Sequence, residues 1–195
     1  MPGDTPLLAA HPWVKRRPIT VGDYHHMAEA GILTERDRVE LIEGELVAMS
    51  PIGSYHHGTV NRLTHTLIHA VGDRAIVSVQ GPIRLDDLSE PEPDFALLKP
   101  RADFYRDAHA VAADVLLLIE VADSSLNYDR AVKRALYARF GIAEVWIFNL
   151  TAGEIEICRQ PTATGYAAIE IAGSDRELEP LLLPGARISA ASMFR

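Results

Sequence analysis

Two acids stand out for where they sit. Asp94 leads into the apolar run of PDFALLK, and Glu120 interrupts VLLLIEVA. Both runs have the length and continuous apolarity of a buried strand, so both carboxylates are expected beside a dry interior. A buried carboxylate is costly unless something pairs with it. Two of them on neighbouring strands point to a divalent metal. Mg2+ and Mn2+ take oxygen ligands from a few acids and leave positions open for water and phosphate. An ion so held stabilises the charge of phosphodiester cleavage and acidifies an attacking water. Val121 alternates to the face opposite Glu120, and its main-chain carbonyl is a candidate further ligand. The plainer reading has Asp94 capping a strand and Glu120 paired with an arginine. The acids alone leave both readings standing.

The next helix shifts the balance. Asp129 and Lys133 are four apart and therefore neighbours on one helical face. At about 100° per residue both fall on the border of a stripe centred on Val132, which predicts a place at the rim of the helix–sheet contact. A lysine there could orient the water or neutralise developing phosphate charge. The alternative is an ordinary surface ion pair that contributes little. For Lys133 the catalytic reading leads, and for Asp129 the two weigh equally.

The elements that must position these residues are legible in outline. Residues 1–18 are Pro-rich and aperiodic and read as an N-terminal arm, followed by a single domain over 19–195. Thr20 with Asp23 predicts an N-capped helix from Val21 to Ala30, stopped by Gly31. RVELIEGELVAMSP alternates around Glu43-Gly44, a hairpin signature. Ser54 opens a longer helix with Val60, Leu63, Leu67, Ile68 and Val71 on one face, closed by Gly72. AIVSV and PIRL, parted by a turn at Gln80-Gly81, read as strands, as do DFALLK and VLLLIEVA. VLLLIEVA is so continuously apolar that it should be a central strand covered on both faces. Asp123, Ser124 and Ser125 are cap candidates for a helix whose Tyr128, Val132, Ala135, Leu136 and Arg139 share a face. EVWIFNL, EIEICR and YAAIEIA are further strands, and the tail reads as a strand and a short terminal helix. The expected fold class is α+β, a mixed β-sheet flanked by helices with an N-terminal helix and β-hairpin.

Composition narrows the function classes. The 195 residues, 48% hydrophobic, suit one domain with a real core. No apolar run approaches the roughly 20 residues that span a bilayer, and the opening residues lack the order of a secretory signal. Cys158 stands alone, which excludes an internal disulfide and fits a reducing, cytoplasmic setting. A net charge of −8 argues against tight, general DNA binding. Nucleic acid would be held weakly or transiently, by a local basic patch or through a metal. His65 and His69 have helical metal spacing, but the glutamate of HExxH is missing, so surface or packing roles are expected. His57, beside His56, is a candidate to face the site, with helix-start packing the plainer role. GxSxG, Walker A and GxGxxG motifs are absent. Trp146 and Phe148 are expected in the core, not as base-stacking platforms.

From about Arg38 to Arg159 the chain resembles the Uma2 family of the PD-(D/E)XK nuclease superfamily. The matching pieces are RVELIEGELVAMSP, the helix opening with His57, Gln80 through Leu85, Pro93-Asp94, and IEVADSSLNYDRAVKRALYARFGIAEVWIFNL. The resemblance implies a restriction endonuclease-like core and Mg2+- or Mn2+-dependent hydrolysis of nucleic acid, DNA first, with catalytic roles for Asp94 and Glu120. It also exposes a departure. The superfamily places a lysine two residues after the second acid, where this chain has Ala122. Lys133 is the natural substitute, provided that its helix packs its first turns over the Glu120 end of the sheet. Glu43, with Glu40 as the alternative, is the expected extra acid near the start of the core. Cutting both strands of a duplex would call for a homodimer. A second function remains, a catalytically idle member kept as a binding or assembly module. The acidic charge and Ala122 favour it, and the retained Asp94, Glu120 and Lys133 oppose it.

Overall fold

The computed structural model of the chain describes residues 13–34 and 36–194, so most of the expected arm lies outside the described residues. Helix α1 (Val21–Glu29) starts on the expected capping box: Thr20 Oγ1 accepts from the Asp23 N–H at 3.0 Å, and the Asp23 carboxylate accepts from the Thr20 N–H at 3.1 Å. Strands β1 (Val39–Ile42) and β2 (Glu45–Ala48) form the predicted hairpin. Its two-residue turn puts Glu43 and Gly44 at φ 51° and 78°, the left-handed pair whose twist suits a hairpin.

Gly44 has a second reason to be glycine. Its N–H donates to the Leu88 carbonyl and its own carbonyl accepts from Ile19. A Cβ there would overlap the Pro18 ring. Gly44→Ala is therefore expected to cost about 1–3 kcal/mol, read as a lower urea midpoint. An unchanged midpoint would mean that the turn and the arm yield freely.

Helix α2 (Ser54–Val71) buries Val60, Leu63, Leu67 and Val71, and ends at Gly72. Ile68, which the spacing puts on that face, is 52% exposed, because it sits about 100° round from Leu67. Then follow β3 (Ile76–Val79), β4 (Ile83–Arg84), β5 (Phe95–Leu98), β6 (Ala110–Val111) and β7 (Val115–Ala122). Beyond the third helical segment come β8 (Glu144–Asn149), β9 (Glu154–Thr162), β10 (Gly165–Gly173), β11 (Glu177–Leu178) and β12 (Ile188–Ser189). Six of them make one mixed sheet in the order β10-β9-β8-β7-β5-β3. β7 and β8 are parallel and the other neighbours antiparallel. PIRL supplies only the short β4, which leaves this sheet to pair with β6.

β7 is the covered central strand that its apolar run predicts. Leu117, Ile119 and Val121 pack toward α2, while Leu118 and Ala122 meet Tyr137, Ala138 and Ile142 on the opposite face. Trp146 and Phe148 are fully buried, as expected of core residues. The tail ends in β12 and a 3-10 turn (Ala190–Ser192). Among the described residues no helix is long and apolar enough to cross a membrane.

The helical segment 126–139 departs from its sequence reading. It is α3 (Leu126–Tyr128), a π turn (Asp129–Lys133) and α4 (Arg134–Arg139). A π turn admits an extra residue and breaks the regular phase. Val132, expected at the centre of the buried stripe, is 36% exposed, whereas Asp129 and Lys133 are only 3% and 5% exposed. Both lie inside the fold, not at its rim.

Candidate active site

The site forms where the β5–β7 ladder runs out. Phe95 pairs with Ile119, so one step further Asp94 and Glu120 face each other. The Asp94 N–H reaches Glu120 Oε2 at 3.4 Å, and the Val121 N–H donates to Asp94 Oδ2 at 2.8 Å. In a strand the N–H and C=O of one residue point the same way, so the Val121 carbonyl also faces this edge. His56 of α2 places Nε2 3.2 Å from each Asp94 oxygen. Gln80, at φ 49° just past β3, donates Nε2 to Asp94 Oδ1 at 3.3 Å.

Lys133 comes in from the π turn. Its Nζ lies 3.4 Å from both Glu120 oxygens and 3.4 Å from Glu40 Oε2, and it donates to the Glu92 carbonyl at 3.2 Å. The geometry required of a displaced lysine, over the Glu120 end of β7, is met. Around it, Tyr137 donates its hydroxyl to Glu120 Oε1 at 2.6 Å. Tyr128 donates to Glu40 Oε1 at 3.0 Å, and Ser125 to Asp129 Oδ2 at 2.6 Å. All of these but the buried Tyr137 line one cavity of about 510 Å3, in which six acids (Glu40, Glu92, Asp94, Glu120, Asp123, Asp129) face Arg38, His56 and Lys133.

Charge balance separates Glu120 from the other buried glutamates of the sheet. Glu144 is held by Arg159 and the Trp146 indole N–H, and Glu156 by Arg130 and Arg134. Those pairs are structural. Among the described residues Glu120 pairs with no guanidinium; it has a lysine shared with Glu40. Burial, opposed by Lys133, pushes its carboxyl up to about 8. Asp94 behaves differently. Burial works against its charge, yet the His56 hydrogen bond, the Val121 N–H and Lys133 hold it below the usual carboxylate range. His56 is raised in turn by its bond to Asp94, against its own burial. Lys133 resists its burial and is raised by Glu120, Glu40 and Asp129.

The donor set fits a hard divalent cation. It is all oxygen, carries surplus negative charge, and includes a dry carboxylate whose ionisation needs further positive charge. Asp94, Glu120 and the Val121 carbonyl are the residues that could hold such an ion, with Glu40 beside them.

Two sequence assignments move. Glu43 is not brought to Asp94: it sits in the exposed hairpin turn and pairs with Arg139 at 2.6 Å. Glu40, the alternative, is the β1 acid that reaches the cavity. His56, not His57, faces Asp94, and His57 is exposed. Glu92, Gln80 and Tyr137 are site residues that the sequence reading does not single out. His65 and His69 form an exposed edge-on ring pair, the surface role expected of them.

A mixed sheet whose central strands end in facing acids, crossed by a lysine-bearing helix, has the architecture of a nuclease-like core. A solved structure from Anabaena variabilis ATCC 29413, described as "a putative nuclease belonging to DUF820", is similar to this chain in fold. The match has a TM-score of 0.68 at 14% identity, over 91% of this chain and 98% of that one. The family model Uma2, described as "Putative restriction endonuclease", matches residues 21–191, and the chain belongs to the Uma2 family. No curated protein matches it.

Proposed function

We propose that this protein is a divalent-metal-dependent endonuclease that hydrolyses phosphodiester bonds of nucleic acid, with DNA as its substrate. One observation carries the reading: Asp94, Glu120 and Lys133, from three elements, converge on a single acidic cavity. Asp94, Glu120 and the Val121 carbonyl would hold Mg2+ or Mn2+. Such an ion, when bound, supplies charge opposite the phosphate and a more acidic water. His56 and Gln80 fix the Asp94 carboxylate, and Tyr137 fixes Glu120. The Lys133 ammonium is positioned to offset charge on the phosphate oxygens or to orient water. α2 opens at the cavity mouth from Gly53, which offers no side-chain cap, and uncapped N–H groups at a helix start suit a phosphate.

The net charge of −8 fits brief, salt-sensitive contact with nucleic acid. Duplex cutting by a homodimer and action in a reducing cytoplasm complete the proposal. The lone, buried Cys158 supports the second, and sedimentation with duplex DNA tests the first. A competing reading, an idle fold kept for binding, draws on the engagement of Lys133 by two glutamates, which makes it a ready structural tie.

The test is nicking of supercoiled plasmid and cleavage of RNA with Mg2+, Mn2+ or chelator, for the natural chain and Asp94→Asn. Metal-dependent cleavage of DNA, lower by about 100-fold or more in the variant, is expected. No cutting of either polymer under any metal, or equal cutting by the variant, would overturn the nuclease reading.

A further inference from the structure

A second cluster of metal-binding type lies outside the acidic cavity. His25 on α1, Glu90 in the segment that leads into β5, and His109 just before β6 each bring one ligand atom within 4.8 Å of the others. His25 Nε2 is 2.6 Å from Glu90 Oε1, and the two imidazoles meet edge-on at 5.7 Å. Glu90 is 2% exposed, and its other oxygen, Oε2, is buried without a hydrogen-bond partner. An unpartnered buried carboxylate oxygen is unusual and costly. It is the more telling because other buried acids of the fold, Glu144 and Glu156, are well supplied with donors.

We infer that His25, Glu90 and His109 form a transition-metal site that takes Zn2+, separate from the candidate active site. Two imidazole nitrogens and a carboxylate are a ligand set that Zn2+ accepts, with water in the fourth position. The same set suits Mg2+ poorly, since that ion prefers oxygen alone. Glu90 is the rigid member: its N–H donates to the Leu41 carbonyl at 2.8 Å and ties it to β1. Ligand atoms on a tetrahedral ion stand about 3.3 Å apart, so binding replaces the His25–Glu90 hydrogen bond by a small outward turn of the ring. His109 is exposed and free to close from the solvent side.

The position gives such an ion a use. Glu90 immediately precedes PEPD, the stretch whose Glu92 carbonyl receives Lys133 and whose Asp94 faces Glu120. A metal here would brace α1 and the approach to β6 against that stretch.

The experiment uses the full chain carrying Asp94→Asn, which weakens the acidic cavity as a competing site. Co2+ is added as a spectroscopic probe and then displaced by Zn2+. One equivalent of Co2+ with the visible bands of a tetrahedral nitrogen–oxygen site is expected, and Zn2+ should bleach them. Adding His109→Ala, at an exposed position that circular dichroism can show to leave the fold intact, should abolish the bands and weaken Zn2+ by about 10- to 100-fold or more. His25→Ala should do the same, and the rise in melting temperature with Zn2+ should vanish in both. Absent bands, or binding indifferent to both histidine variants, would leave a plain His25–Glu90 ion pair and overturn the site. Neither outcome depends on whether the protein cuts nucleic acid.

Discussion

Lys133→Met is expected to weaken the fold and the chemistry together. The ammonium is buried among Glu40, Glu120 and Asp129, and among the described residues it is the only cation within ion-pair distance of either glutamate. Removing one partner of a buried ion pair strands the other, at a cost of about 3–5 kcal/mol. The loss should move toward the upper end of that range as pH rises past about 8, where Glu120 of the natural chain is ionised as well. Cleavage should fall by about 100- to 1,000-fold, the scale of a lost preorganised charge at a reacting centre. Divalent metal should return part of the stability, because it supplies charge to the same acids. Urea melts with and without Mg2+, beside a nicking assay, read all three effects. A variant as stable and as active as the natural chain would leave Lys133 with neither role.

Glu120→Gln should act in the opposite direction on stability. The folded carboxyl sits near 8, above its ordinary value of 4.5. Between these values the folded chain keeps a proton that the unfolded chain has released, so stability falls as pH rises from about 4.5 to about 8. Glutamine removes that penalty and still accepts the Tyr137 hydroxyl, while Lys133 keeps Glu40. Without metal, the variant should gain on the natural chain between about pH 5 and about pH 8, by about 1 kcal/mol or more. It should nonetheless lose cleavage by about 1,000-fold or more. Paired urea melts at the two pH values check the first part. A difference that does not change with pH would mean that Glu120 is not the group that titrates.

What the chain discloses before folding follows from period and cost. Asp94 and Glu120 are legible because a carboxylate beside a continuous apolar strand is conspicuous, and the β5–β7 ladder then sets them opposite each other. The capping box at Thr20, the Glu43-Gly44 turn and the central strand are local features, and all three form as read. The inward turn of Lys133 is not local. Nothing in SSLNYDRAVK announces a π turn, and a phase counted at regular helical spacing puts Val132 inside and Lys133 at the rim. Glu40 and Glu43 are three residues apart: Glu40 lies within β1, whereas Glu43 takes the positive φ of the hairpin turn, which puts it outside the strand. His56 and His57 are likewise parted only by the entry angle of α2. Glu92, Gln80 and Tyr137 reach the site by tertiary packing, for which the sequence offers no periodic mark.

The most direct measurement is the rate of metal-dependent nicking of supercoiled DNA by the natural chain and by Glu120→Gln, prepared identically and shown by urea melts to be equally folded. Cutting with Mg2+ or Mn2+ that is abolished by chelator, and lost in the variant without loss of stability, is the predicted result. Equal nicking by the two proteins, or none by the natural chain with either metal, would contradict the role given to Asp94, Glu120 and Lys133.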